Sequence, residues 1–142
     1  MKKKKTKKKK MPQGTMVLRT LAMPANTNAN GDIFGGWIMS QMDMGGAILA
    51  KEITCGRVVT VSVNGMTFLK PVHIGDIVSC FAKCIKVGNS SITILVEVWI
   101  KKISYPPIGS FYKTTEATFI YVAIDNNGKP KSIKKNILKI FI

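Results

Sequence analysis

The chain has 142 residues, 46% of them hydrophobic and 20% charged, which is enough for one domain with a sizeable core. Its net charge of +15 raises the question of nucleic-acid binding, but the charge is concentrated at the two ends. Residues 2–10 hold eight lysines and 129–142 hold five, whereas 11–128 hold nine basic and seven acidic residues. The body is therefore nearly neutral, and no basic surface rich in aromatic residues indicates nucleic-acid binding.

This distribution divides the chain into three segments. We interpret residues 1–13 as a disordered basic arm, 14–128 as the folded domain and 129–142 as a basic tail. Binding of RNA or of an anionic membrane through the arm is the alternative that charge leaves open. We expect neither a nucleic-acid partner nor a membrane partner.

The sequence disfavours an export signal, a membrane span and a metal site. The apolar run after the arm is short and contains Arg19, whereas a signal peptide needs an uninterrupted run of about 7–15 apolar residues. No stretch approaches the ~18 apolar residues of a transmembrane helix. Cys55, Cys80 and Cys84 lack zinc-site spacing. We therefore expect a cytosolic protein with reduced structural thiols, no metal and no cofactor.

The predicted elements are one helix and five strands. A short strand over 15–23 is followed by a polar, turn-rich loop and then by a helix over 34–53. Beyond Gly56 the hydrophobic pattern changes to period two and β-branched residues become frequent. This pattern predicts strands over 57–68, 76–87, 91–100 and 111–124. The VGNSS stretch between the third and fourth of the five strands is typical of a hairpin.

One long helix followed by a meander of long strands predicts an α+β fold. A single helix is able to lie across the concave face of a curved sheet, which is the hotdog arrangement. We therefore predict a central helix wrapped by an antiparallel sheet of about five strands. Its edge strands and the partly uncovered helix would favour dimerisation.

The predicted helix carries a narrow stripe of small side chains with one carboxylate in the middle. Gly36, Ser40, Asp43, Ala47 and Ala50 fall at steps of four, three, four and three, so they share one face. Close packing explains the small residues. It does not explain the aspartate, which lies about two turns inside the helix and is too far along to be an N-cap.

Catalysis is the second interpretation of this stripe. Gly35 and Gly36 leave the first N–H groups of the helix exposed, where the helix dipole favours developing negative charge. Such donors would form an oxyanion hole. Asp43 lies on the same side, where it would activate a water molecule. Spacing alone leaves packing and catalysis equally open.

The other titratable residues are weaker candidates for a hydrolytic site. Glu97 and Glu116 lie within strands, where we expect them on polar faces. His73 lies in a turn, and Asp32 is placed where it would cap the helix. The sequence contains neither a Ser-His-Asp arrangement nor a G-x-S-x-G motif. If the protein is a hydrolase, Asp43 is the best-placed carboxylate.

Three stretches resemble a known family. LRTLAMPANTNANGDIFGGWIMSQMDMGGAILAKEI, GRVVTVSVNGMTFLKPVHIGDIV and EVWIKK are similar to the YciA-type acyl-CoA thioesterases of bacteria, within the hotdog-fold acyl-CoA hydrolase family. The resemblance runs over about residues 14–132. It implies hydrolysis of acyl-CoA to a free fatty acid and CoA without a metal, in a hexamer assembled as a trimer of dimers. A non-catalytic acyl-CoA-binding module is the alternative.

The resemblance also assigns roles to individual residues. The helix aspartate of the family matches Asp43, and the asparagine of its N-x-x-G loop matches Asn28. In related enzymes these two residues act together across the dimer interface, one from each protomer. The presence of both favours the enzyme over the binding module.

Contacts to the CoA moiety follow less directly from the resemblance. A pyrophosphate is bound by cations and by hydroxyl or backbone donors. The candidates of this kind are Lys70, Ser90, Ser91, Lys101 and Lys102. Each lysine is equally open to interpretation as an ordinary solvated charge.

Overall fold

A computed structural model describes residues 10–133, and the elements follow the predicted order. Each boundary lies within two residues of its predicted position. The elements are β1 (Thr15–Leu21), a short 3₁₀ helix (Pro24–Asn26), α1 (Gly35–Thr54), β2 (Arg57–Phe68), β3 (Ile77–Val87), β4 (Ser91–Lys101) and β5 (Phe111–Ile124).

The five strands form one antiparallel sheet in the order β1-β3-β4-β5-β2. The predicted hairpin between β3 and β4 is confirmed. The expectation of a simple meander is wrong for β2, which pairs with β5 at the far edge instead of with β3. Periodicity identifies a strand but not its neighbour, because pairing is decided by where the helix and the connections place the strand.

Helix α1 lies against one face of the sheet, as predicted, and the hotdog architecture is confirmed. Ile38, Met42, Leu49 and Ile53 recur at helical spacing and are each at most 7% exposed. They meet alternate strand residues, whose partners across the ladder lie on the same face. The buried strand residues are Val78, Cys80, Ala82, Ile92, Ile94, Val96, Val98, Ile100, Ala117, Phe119, Tyr121 and Ala123.

Two glycines let the helix approach the sheet closely. A Cβ at Gly45 would lie 3.0 Å from Cγ2 of Val17, and a Cβ at Gly46 would lie 2.3 Å from the hydroxyl of Tyr121. Both glycines are buried. Close packing therefore explains this pair, which lies outside the small-residue stripe predicted from the sequence.

The predicted stripe itself lies mostly along the flank of the helix. Ala50 is fully buried, but Gly36 and Ser40 are exposed, and Asp43 and Ala47 are half-buried. The bulkier residues occupy the core because their burial removes more apolar surface from water. Asp43 is therefore not a core carboxylate, and close packing does not account for its position.

The expectation of a polar face for Glu97 is wrong. This side chain on β4 is 1% exposed, and its Oε1 accepts hydrogen bonds from the Gln13 N–H (3.1 Å) and from Trp99 Nε1 (3.0 Å). Lys113 Nζ lies 3.8 Å from Oε2. The aromatic rings of Trp99 and Phe111 contact each other at a centroid distance of 4.9 Å. The indole, the segment before β1 and the cation compensate the burial of this carboxylate.

Both predicted terminal segments extend beyond the described residues. Residues 1–9 and 134–142 lie outside them, so the disordered arm stays a prediction. Residues 129–133 pack against the domain: the Ile133 N–H donates to the Asn89 carbonyl (2.7 Å), and the Lys131 N–H donates to that of Ala123 (2.8 Å). Ile133 is 7% exposed. The body of the fold therefore continues five residues past the boundary predicted at 128.

The three cysteines are free and differ in environment. Cys80 is buried in the core, and burial raises its pKa to about 12. Cys84 is half-buried, whereas Cys55 is exposed at the end of α1. Within residues 10–133, no helix is long and apolar enough to cross a membrane.

Candidate active site

Asn28 lies in the loop that leads into α1, and this loop fixes the orientation of its side chain. Oδ1 accepts hydrogen bonds from the N–H groups of Asn30 (2.9 Å) and Asp32 (3.2 Å). The Asn28 N–H donates to the carbonyl of Asp32 (2.7 Å). Because Oδ1 is occupied within the loop, the exposed amide presents its NH₂ group outward as a donor.

Helix α1 begins without a side-chain cap. Phe34 occupies the N-cap position and has no acceptor to offer, so Asp32 is not the cap expected from the sequence. Gly35 is half-buried and Gly36 is exposed. A Cβ at Gly35 would lie 3.2 Å from Cζ of Phe68, so a larger residue would crowd this ring. The first N–H groups of the helix remain available to an anion or a polarised carbonyl.

A cavity of about 340 Å³ opens beside this helix terminus. Its walls are mainly apolar, and Lys70 is the one cation among the lining residues. The Lys70 Nζ lies 4.7 Å from the centroid of the Tyr112 ring, which holds the ammonium by a cation–π contact. The cavity lining includes Ile33, Gly35, Ile38, Phe68, Lys70 and Val72.

Asp43 lies on the flank of α1 that faces β2. Its Oδ1 accepts a hydrogen bond of 2.6 Å from the Thr60 hydroxyl, which is the one hydrogen bond to this carboxylate from residues 10–133. No cation of that range lies within ion-pair distance of it. A carboxylate held by one neutral donor keeps a second oxygen able to accept a proton from water.

Tyr121 supports the backbone at Asp43. Its hydroxyl donates to the Asp43 carbonyl oxygen (2.9 Å), over the surface left open by Gly46. Burial, and then the negative charge of Asp43, raise the pKa of Tyr121 above its usual range. The phenol therefore stays protonated and acts as a donor that holds this turn of the helix.

The predicted catalytic residues occupy two places within one chain. Gly35, Gly36 and Asn28 lie at or before the start of α1, whereas Asp43 lies eight residues further, about 12 Å along the helix axis. No hydrogen bond joins the side chains of Asn28 and Asp43.

The predicted CoA-binding residues fall at opposite ends of the sheet. Lys101 ends β4, whereas Ser91 begins the same strand, and Ser90 precedes it in the hairpin. Ten residue steps along a strand span roughly 33 Å. The structure therefore does not bring the two serines together with Lys70 or Lys101 within one chain.

A larger cavity, of about 590 Å³, opens at the end of the sheet that carries the serine hairpin. It is lined by Gly14, Met16, Ile48, Glu52, Ala82 and Lys83, among others, and by none of the predicted catalytic residues. The larger volume of this cavity therefore does not identify the active site. The N–H donors at the start of α1 and the Asp43 carboxylate are the better indication of its position.

Lys102 is buried and lies in a polar cluster that sequence reasoning missed. It is 6% exposed, and its Nζ donates to Asp76 Oδ2 and to His73 Nδ1, each at 2.8 Å. An ammonium engaged in this way is not presented to a pyrophosphate, so Lys102 differs from the exposed Lys101. The sequence HIGD places His73 and Asp76 three residues apart, but nothing local places Lys102 beside them.

Comparison with known proteins identifies the family of the chain. The family model described as the thioesterase superfamily matches residues 30–106. The chain belongs to the thioesterase superfamily. It is 73% identical over 126 residues to an uncharacterized acyl-CoA thioester hydrolase of Buchnera aphidicola subsp. Baizongia pistaciae, covering 89% of this chain and 93% of the relative. It is 66% identical over 123 residues to the Escherichia coli K12 acyl-CoA thioester hydrolase YciA, covering 87% and 93%.

A solved structure supports the same family at the level of the fold. A hexameric broad-specificity acyl-coenzyme A thioesterase superimposes with a TM-score of 0.89 and 58% sequence identity, covering 93% of this thioesterase-superfamily chain and 91% of that one. The resemblance to YciA-type thioesterases predicted from the sequence is confirmed.

Proposed function

We propose that this protein is an acyl-CoA thioester hydrolase. The observation that carries the proposal is the presence of both an uncapped, glycine-led helix terminus and a helix carboxylate that the neutral Thr60 hydroxyl holds. The first supplies donors for an oxyanion, and the second supplies an acceptor for a proton. High identity to proteins named acyl-CoA thioester hydrolases supports the same activity.

The reaction is assigned to this chain's own side chains and backbone. Asp43 accepts a proton from water while the water oxygen attacks the thioester carbonyl carbon. The carbonyl oxygen gains the negative charge and is stabilised by the N–H groups of Gly35 and Gly36 of a second protomer, because within one chain these groups lie about 12 Å along the helix from Asp43. Collapse of the tetrahedral intermediate breaks the C–S bond, the CoA thiolate leaves and takes the proton held by Asp43, and the acid is released. In this scheme neither a metal nor a cofactor takes part.

The assembly we propose is a hexamer, as in the hexameric thioesterase to which the fold is similar, arranged as a trimer of dimers. Strand β2 pairs on one side only and exposes Val59 (41%), Val61 (54%) and Val63 (38%). An edge strand with exposed apolar residues favours association with a second copy. Asn28 of one protomer would then orient the water or the thioester beside Asp43 of its partner.

We favour Lys70 and Lys101 as the residues of this chain that bind the CoA moiety. Lys70 lines the 340 Å³ cavity beside the helix terminus, and Lys101 is exposed at the end of β4. Ser90 and Ser91 would contribute only from another protomer. The cytosolic location and the lack of nucleic-acid or membrane partners stay predictions.

The direct test measures release of free CoA thiol from short-, medium- and long-chain acyl-CoAs, with and without a chelator. We expect turnover that the chelator leaves unchanged. A substrate-free control is needed because the exposed Cys55 reacts with thiol reagents. Saturable acyl-CoA binding without thiol release would support the non-catalytic binding module instead.

Mixing experiments test the shared site. Asp43→Asn and Asn28→Ala proteins, each nearly inactive, are dissociated together and reassembled. We expect activity to return to the fraction of sites that pair an intact Asn28 with an intact Asp43 from the other chain. Verified mixed assemblies without any recovery would place both residues of each site in the same chain.

A further inference from the structure

A polar cluster built on a buried ion pair adjoins the Asn28 loop through His73 and Asp32, whose side chains are 43% and 44% exposed. Asp76 is 1% exposed, and its Oδ2 accepts hydrogen bonds from Lys102 Nζ (2.8 Å) and from the His73 N–H (2.9 Å). Lys102 and Asp76 thus form a buried ion pair that joins the end of β4 to the start of β3. This pair is a rigid base for the His73 ring because both partners are buried and hydrogen-bonded.

The contact with Lys102 determines which nitrogen of His73 carries the proton. An ammonium has three donors and no acceptor, so Nδ1, at 2.8 Å from Lys102 Nζ, must accept. In this arrangement Nε2 is the ring nitrogen that carries the hydrogen. That nitrogen faces Asp32 Oδ1 at 3.8 Å, and the Tyr105 ring stacks beside the imidazole at a centroid distance of 6.1 Å.

Asp32 holds Asn28 from both sides. Its N–H donates to Asn28 Oδ1, and its carbonyl accepts the Asn28 N–H. A shift of Asp32 therefore rotates the Asn28 amide, whose outward NH₂ is the group proposed to act in the reaction. The chain of contacts runs from the buried pair through His73 and Asp32 to Asn28.

We propose that His73 is a positioning residue for Asn28. It acts through the Asp32 carboxylate and is held in the Nε2–H form by Lys102. The proposal rests on the proposed hydrolysis of acyl-CoA, and it adds the loop anchor that gives the Asn28 amide its direction. His73 itself touches neither the substrate nor the reacting atoms.

The test is a double-mutant cycle on acyl-CoA turnover. His73→Phe removes the Nε2–H group that lies 3.8 Å from Asp32 Oδ1 and keeps a ring against Tyr105. We expect kcat to fall by up to about tenfold with KM changed less than twofold, the loss of one polar contact to a carboxylate. His73→Gln supplies both an acceptor for Lys102 and a donor for Asp32, so it should recover most of kcat. Tyr105→Phe is the matched control and should equal the wild type.

The cycle is completed in the Asn28→Ala background. There His73→Phe should cause no further loss, because the residue that it positions is gone. An equal loss in both backgrounds, or no loss in the wild-type background, would overturn the proposal. Asp32→Ala provides a second variant on an exposed side chain, so a folding defect of His73→Phe cannot obscure the result.

The two proposals fail in different ways. If the wild-type protein releases no CoA thiol, the proposed hydrolysis fails before any variant is compared. The wild type is active in the other case. If His73→Phe and Asp32→Ala then lower kcat by the same factor with and without Asn28→Ala, the proposed hydrolysis stands and the positioning role is wrong. Melting curves of each variant separate a loss of kcat from a loss of folded protein.

Discussion

Two aspartates of this protein lie in contrasting environments. Asp76 is buried, bonded to the Lys102 ammonium and to a backbone N–H, and its Oδ1 has no hydrogen-bond partner among the described residues. Asp43 is half-buried, and its carboxylate accepts a hydrogen bond from the neutral hydroxyl of Thr60. Each aspartate carries the same carboxylate on the same short side chain, so the difference between their roles comes from their surroundings.

The contrast shows that a neighbouring cation and the access of water decide whether an aspartate stabilises the fold or takes part in a reaction. A buried carboxylate bound to an ammonium is held in its ionised form and cannot accept a proton without breaking that pair. A half-buried carboxylate with a neutral donor keeps an oxygen that water is able to reach. The comparison therefore predicts that changes at Asp76 affect folding first, whereas changes at Asp43 affect turnover first.

The largest expected effect is on turnover at Asp43. Asp43→Asn keeps the volume and removes the negative charge, so we expect kcat to fall by roughly 10²–10⁴-fold, the contribution of a general base. Substrate affinity should change far less, and the melting temperature should be equal or slightly higher. Steady-state kinetics and thermal melting provide both readings. Full turnover by the Asp43→Asn protein would mean that α1 has a purely structural role.

The next effect is on stability at the buried pair. Lys102→Met leaves the Asp76 carboxylate buried without its cation, and such a loss costs about 3–5 kcal/mol. Adding Asp76→Asn should recover part of this, because a neutral amide still accepts the His73 N–H. Chemical denaturation measures both variants. Lys101→Met, on the exposed neighbour, is the control and should stay within about 0.5 kcal/mol of the wild type.

A smaller effect is expected where the helix meets β5. A Cβ at Gly46 would lie 2.3 Å from the Tyr121 hydroxyl, so Gly46→Ala should cost about 1–3 kcal/mol through overpacking. Combining it with Tyr121→Phe removes the clashing oxygen and should cost less than the two single changes added together. Additive free energies of unfolding would mean that the close approach is not the cause.

Removing the Thr60 hydroxyl tests how much its hydrogen bond to Asp43 contributes to turnover. Thr60→Val keeps the shape and removes the only donor to the carboxylate from residues 10–133. Turnover should fall less than about tenfold, since one hydrogen bond orients the carboxylate without supplying its charge. Thr67→Val, elsewhere on the same strand, is the matched control. A loss as large as that of Asp43→Asn would give Thr60 a direct role.

We expect no effect from removing the basic arm, because its charges are outside the predicted folded domain. Removing residues 2–10 takes away eight lysines. Turnover and melting temperature should agree with those of the full chain within experimental error. A large fall in either would show that the arm packs against the domain.

Most of the fold was predictable because its signals are local. The length and apolar density of residues 34–53 predicted α1, and period-two alternation predicted the four strands beyond Gly56. The pairing of β2 with β5 was not predictable, because strand order depends on contacts between residues far apart in sequence. The same limit explains Glu97, which alternation assigned to a polar face before the indole and the N-terminal segment covered it.

Of the candidate site, the sequence by itself determined the residue types and the helix that carries them. It identified Asp43 as the carboxylate inside α1 and Gly35 and Gly36 at the helix start, whereas the lack of a side-chain cap at that start came from the structure. Only the tertiary structure decided that Asp43 lies on the flank of the helix and that Lys102 is buried beside His73 and Asp76. The physical reason is that burial and charge pairing arise when distant segments pack, whereas spacing records only position along one element.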